Sequence, residues 1–415
     1  MIKKFVNNSA FSGTVILTVG TLFANIFAYI LQLFLGRNLS VADFGVFNSL
    51  LAISTITGIF SGALSASVVK KVAALCAKEK TGVLTKLFWS LLFVTLGLGL
   101  VLFGLLFLFK ESITGFLNIT DTQAFLLFSV NVGLTFTCIL PLAYLQGLLK
   151  FKKLTFMKIL TSFLRMLFPI VFILLGYSFA FVFLGMLAAW VFSIIIATVL
   201  LLKDFDSIGD VCLNSHYKSL VSFIGPILFI RVGLTLLNNV DLLLVKHFFV
   251  GDTAGIYAGV VTVGKVLLFG AGSVATVMFP QISAAVASGK DPQKKLKPFL
   301  LIQILLVVGG LAVFALFPKL ITVTMFGEKY LPAVEYVPKF SFFMAFYVLI
   351  NFLVLFFIAV EKYLATLFLG IGVVLQTVLI WFFHDSLSMV VNINVAVTGV
   401  VLFLLLVYYN FSSRS

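Results

Sequence analysis

Three cations stand where hydropathy places the middle of long apolar runs: Arg165, Arg231 and Lys265. Arg165 follows the loop residue Lys153 by 12 positions, Arg231 follows Lys218 by 13, and Lys265 lies 12 beyond Thr253. At ~1.5 Å of rise per residue, each is about 18 Å along its helix. A cation at the centre of a lipid-facing helix costs about 2.5–3.5 kcal/mol, so all three are expected to face a water-filled cavity between two halves of the molecule. Three positive charges in one such cavity repel each other unless an anion arrives. A diphosphate suits them, because Arg offers a planar fork to phosphate oxygens and Lys a point charge. The competing reading is that each cation pairs with a buried acid, but Asp241 is the one clear acid within the apolar runs.

Asp241 follows Asn238 and Asn239 and precedes Lys246 by five residues. Two readings stay open for it: a cation or proton site that couples transport to an ion gradient, or a salt bridge with Lys246 or Arg231. Asn392, Asn394 and Thr398 on the last apolar run could add oxygen ligands for a hard cation such as Na⁺. The candidate coupling set is therefore Asp241, Asn392 and Thr398, with Na⁺ or H⁺ as the ion. Asn25, Gln32, Asn48, Asn131, Gln146 and Gln376 read as hydrogen-bond partners between helices. Cys76, Cys138 and Cys212 lack metal-ligand or redox spacing and read as structural, and His216, His247 and His384 make no metal cluster. No catalytic constellation and no cofactor are called for.

The elements that must position these residues follow from composition. Of 415 residues, 62% are apolar and 10% charged, with a mean hydropathy of +1.23. A soluble domain needs more polar surface. The expected fold is an all-α integral membrane protein of about twelve spans, because the apolar runs are each long enough to cross a hydrocarbon core. They are Ser12–Leu35, Phe44–Val69, Val83–Phe109, Gln123–Leu149, Leu154–Tyr177, Ser178–Leu202, Ser219–Val245, Ala254–Val286, Pro298–Phe317, Tyr336–Val360, Tyr363–Phe383 and Met389–Phe411. The first is too long for the apolar core of a signal peptide and reads as a retained span. The net charge of +14 does not point to nucleic acid, because the basic residues sit in short connectors, where they orient the spans and face anionic lipid. Most of them, including Lys70, Lys71, Lys150, Lys152, Lys153, Lys294, Lys295 and Lys297, fall on one side. That side is the cytoplasm, which places both termini there.

The chain also repeats itself. Gly45 and Gly62 recur as Gly255 and Gly272, Val46-Phe47 as Ile256-Tyr257, and Ala74 as Ala284. Six spans separate the copies, so the halves share orientation, as in a parallel repeat about an axis along the membrane normal. The expected organisation is a six-helix lobe over residues 1–202, a cytoplasmic linker over 203–218 and a second six-helix lobe over 219–415. Pro141, Pro169, Pro226 and Pro280 are candidate hinges or tolerated kinks.

The stretch Gly36-Arg37-Asn38-Leu39-Ser40-Val41-Ala42-Asp43-Phe44-Gly45-Val46-Phe47 resembles the first outer loop and start of the second span in Wzx-type O-antigen and capsule-unit flippases. These belong to the multidrug/oligosaccharidyl-lipid/polysaccharide exporter superfamily, and Gly255-Ile256-Tyr257 fits the same pattern. The resemblance implies a bacterial inner-membrane protein that moves an oligosaccharide linked through diphosphate to undecaprenol, by alternating access through a cationic cavity. Its partners would be that lipid-linked substrate, membrane lipids and polysaccharide polymerase machinery, with no nucleic acid. It also implies a cation site near the seventh, eleventh and twelfth spans, where Asp241 resembles the seventh-span acid. No acid occupies the middle of the eleventh or twelfth span here. Rival readings are a cation-coupled drug exporter of the same fold, which would favour buried acids, and a glycosyltransferase or polymerase. The latter needs catalytic groups on a large outer loop, and the longest outer stretch, Lys319–Glu335, offers only Glu328 and Glu335. A scaffold leaves the buried cations unexplained.

Overall fold

The computed structural model describes residues 9–76, 81–203, 205, 228, 231–289 and 291–412. The expected linker other than residues 203 and 205, with Cys212, His216, Lys218 and Pro226, lies outside the described residues. Eleven helices among those described are long and apolar enough to cross a membrane. With the incompletely described seventh run, they match the expected spans in number and order. Large apolar side chains such as Phe93, Leu100, Val101 and Leu305 stay exposed along them, which in a membrane is the lipid-facing surface.

The chain forms two compact units, one of residues 1–38 and 53–228 and one of residues 39–52 and 229–415. A division at 203–218 alone places 39–52 with the first half, whereas their packing places them with the second unit.

The first unit contains α1 (Ser9–Asn38), the later part of α2 (Val41–Cys76), α3 (Thr81–Leu108), the short α4 (Lys110–Phe116), α5 (Thr122–Gly147), α6 (Phe151–Leu174) and α7 (Phe181–Leu202). At 36 residues, α2 is about 54 Å long, well beyond the ~30 Å of a hydrocarbon core. Its basic tail, with Lys70 and Lys71, continues the helix without a break. Near that end Val72, Leu87, Phe88, Tyr144, Met157 and Leu201 pack into a buried cluster. The rings of Phe88 and Tyr144 meet edge to face at 5.0 Å. Small residues bring helix backbones together. A Cβ on Gly133 would lie 2.7 Å from the Gly99 carbonyl oxygen, and one on Gly185 would lie 2.6 Å from the Pro169 nitrogen.

In the second unit, the seventh apolar run is described from Leu228 and then from Arg231. Residues 231–237 are helical, Asn238 and Asn239 form a turn, and the chain resumes as α8 (Val240–Phe248). Next come α9 (Asp252–Ala271) and α10 (Ser273–Ala287), which meet at Gly272 and together form one 36-residue span. That length equals α2, as the repeat requires. The unit closes with α11 (Pro292–Leu316), α12 (Pro318–Phe326), a 3-10 turn over Glu328–Ala333, α13 (Val337–Ala359), α14 (Ala365–Phe382) and α15 (Leu387–Ser412). The stretch Lys319–Glu335 between two expected spans is therefore largely helical. Gly45 lies against Gly255: a Cβ on Gly45 would be 2.9 Å from the Gly255 nitrogen, and one on Gly255 would collide with the Val41 carbonyl.

Candidate functional site

The turn at Asn238 and Asn239 exposes backbone groups that an unbroken helix would satisfy itself. Within a membrane such a break persists only where protein or water supplies partners. Asn239 does so locally: its side-chain amide donates to the Thr235 carbonyl at 2.8 Å, and its amide oxygen accepts from the Lys265 ammonium at 3.2 Å. The break also gives α8 its own N-terminus, and Asp241 stands in its first turn. The positive end of the helix dipole favours a carboxylate there.

Asp241 is fully buried. One carboxyl oxygen, Oδ2, accepts from the Tyr257 hydroxyl of α9 at 2.6 Å and from the Asn394 amide of α15 at 3.2 Å. The same amide donates to the Tyr257 oxygen at 2.8 Å. Gln376 of α14 donates to the Asn394 oxygen at 2.8 Å. Thr398 spends its hydroxyl on the Asn394 carbonyl at 2.6 Å, which steadies that turn of α15. Lys265 is close enough to act electrostatically on Asp241. Helices α8, α9 and α15 thus meet at one acid, with α14 bonded behind Asn394. Its other oxygen, Oδ1, is buried with no hydrogen-bond partner, as are Gln376 Oε1 and Asn238 Oδ1. Unpartnered buried acceptors are expensive unless a donor or cation meets them. Oxygens of this kind suit a hard cation or a proton.

The expected site residues are therefore distributed. Asp241 and Thr398 share this knot. Asn392 does not: it is exposed, and Asn394 takes the place beside the acid. The cation beside Asp241 is Lys265, whereas Lys246 feels Asp43. Arg231 is exposed on the 231–237 helical segment of the second unit. Arg165 belongs to α6 of the first unit. Its guanidinium lies 4.8 Å from the centre of the Trp190 ring, and its Nε is buried without a hydrogen-bond partner. Tyr257 and Asn239 were not among the expected ligands. For Tyr257 a signal existed, since the repeat aligns it with Phe47, and the hydroxyl is the one atom the second copy adds.

Comparison with known proteins places this geometry. The profile of the family described as "Polysaccharide biosynthesis protein" matches residues 34–335. No curated protein is a significant match by sequence. Among solved structures, an inward-facing multidrug resistance MATE transporter of the MOP superfamily superimposes with a TM-score of 0.75 at 12% identity, over 97% of this chain and 99% of that one. The lipid II flippase MurJ, in an inward closed conformation, gives a TM-score of 0.74 at 14% identity, over 97% of this chain and 88% of that one. A MOP superfamily transporter from Pyrococcus furiosus, described as having a binding pocket of reverse polarity, gives 0.56 at 14% identity over 95% and 92%. With the family profile covering well over half its length and the fold matching end to end, this multi-pass membrane chain belongs to the polysaccharide biosynthesis protein family and carries the transporter fold of the MOP superfamily.

Proposed function

We propose that the protein is a flippase that carries undecaprenyl-diphosphate-linked oligosaccharide units across the bacterial inner membrane by alternating access, for surface polysaccharide synthesis. The carrying observation is Arg165: a guanidinium inside an apolar span, with a buried Nε that no protein group meets. An arriving phosphate oxygen resolves that deficit. Arg231 and Lys265 are the other candidate contacts for the diphosphate. The sugar would travel in water and the polyprenyl tail in lipid. Both termini would be cytoplasmic.

Asp241 would supply the coupling. Its Oδ1 is an unpartnered oxygen that fits Na⁺ or H⁺, and Asn394 and Tyr257 hold the acid in place. A bound cation would add positive charge at α8 and oppose that of Lys265.

The test is complementation. In a strain lacking the native gene, Arg165→Ala, Arg231→Ala and Lys265→Ala are each assayed for surface polysaccharide at normal expression. Loss in these variants, with undecaprenyl-linked units accumulating on the cytoplasmic side, is expected. Full activity in all three overturns the reading. A second reading, a cation-coupled drug exporter, draws on Asp241, a buried acid of the kind that neutralises cationic drugs. A deletion strain made sensitive to cationic drugs, with intact polysaccharide, would select it.

A further inference from the structure

Around Arg165 the unpartnered atoms are of the opposite kind from those around Asp241. Arg165 Nε, the Trp190 indole nitrogen and the Thr161 hydroxyl are all buried and all without a hydrogen-bond partner. Each can donate. Other span hydroxyls, such as those of Ser129, Thr135 and Ser193, return their hydrogen to a carbonyl one turn back. Thr161, only 5% exposed, does not, and neither do Thr137 and Thr155; of the three, Thr161 stands one turn from Arg165 on the same helix. Three idle donors at a cation describe a place for an oxyanion.

The same helix face extends toward its basic end. Thr161 precedes Arg165 by one turn, and Lys158 precedes it by seven residues, which in an α-helix returns to nearly the same direction. Lys158 and Arg165 are then about 10 Å apart along the axis at ~1.5 Å per residue. Lys158 is part-buried within α6, not at its end. Among the described residues no carboxylate acts on either cation.

We propose that this face of α6 is a two-step phosphate track, on which Lys158 takes a phosphate or diphosphate headgroup and passes it to Arg165, where Thr161 and Trp190 donate to its oxygens. It rests on the reading above that the cargo carries a diphosphate, and adds Lys158, Thr161 and Trp190 to its recognition. The headgroup chemistry is the same whether the anion is lipid-borne or free.

The experiment uses the full chain in phosphatidylcholine nanodiscs, with calorimetric titration of farnesyl diphosphate, inorganic pyrophosphate and farnesol. Lys158→Ala and Arg165→Ala should each weaken farnesyl diphosphate binding about tenfold, the loss of one charge-assisted contact. Lys158→Arg should retain it, Thr161→Val should weaken it, and farnesol binding should be the same in all. Unchanged melting temperatures show that the variants fold. Pyrophosphate binding that falls in parallel identifies recognition of the headgroup alone, and binding of farnesyl diphosphate only identifies a lipid-borne anion; either supports the track. Wild-type affinity in Lys158→Ala, with affinity lost in Arg165→Ala, overturns the track and leaves the diphosphate reading standing. Failure of the wild type to bind either anion overturns both.

Discussion

At the scale of the residue, Asp241 is held by two neutral donors and one nearby cation, and this sets what each substitution should do. Tyr257→Phe deletes a hydrogen bond to the carboxyl group, worth about 1–3 kcal/mol, and leaves the ring packed beside Phe340. Transport should fall while the protein stays folded, measured as surface polysaccharide against melting temperature. Asp241→Asn keeps the shape but leaves the Lys265 ammonium without its counter-charge, so melting temperature should fall as transport is lost. Lys265→Met strips the cation from a buried acid, a change that costs about 3 kcal/mol when the partner charge stays. Adding Asp241→Asn should recover most of that loss, and a double-mutant cycle by denaturation reads the coupling directly. If Lys265→Met is neutral alone, the two charges do not depend on each other.

At the scale of the element, hydropathy along the chain made the spans legible, because a run of apolar residues long enough to cross lipid is a local property. The interruption at Asn238 and Asn239 was not legible. Two adjacent amides are tolerated in a helix, and only Lys265, 26 residues later, shows what the turn is for. The choice between Asn392 and Asn394 failed for a related reason. Two residues apart on a helix is about 200° of rotation, so one faces the acid and the other faces away. Nothing along α15 says which direction α8 lies. Gln376 was readable as a partner between helices, and it is one. Backbone contact at the start of α9 carries its own prediction. Gly255→Val drives a branched side chain into the Val41 carbonyl, and overpacking of this kind costs about 1–3 kcal/mol. A lowered melting temperature in detergent is the expected result, whereas Gly58→Ala, with open space around it, should change little.

For the whole molecule, the net charge of +14 and its concentration in connectors argue for orientation more than for cargo. Cys76 is exposed at the end of α2 and Cys138 is buried in α5. In a Cys212→Ser background, a membrane-impermeant maleimide should label Cys76 in inverted vesicles and leave intact cells unlabelled. Labelling from the outside of cells would reverse the proposed topology. The repeat also bears on the molecule as a whole. Where Gly45 meets Gly255, both within the second unit, a duplicated segment touches its own duplicate. Bulk gained at Gly45 is met by the Gly255 backbone, and bulk gained at Gly255 by the Val41 carbonyl, so neither glycine is free to drift alone. The two halves can diverge in cargo and in charge everywhere else, but there each remains answerable to its twin.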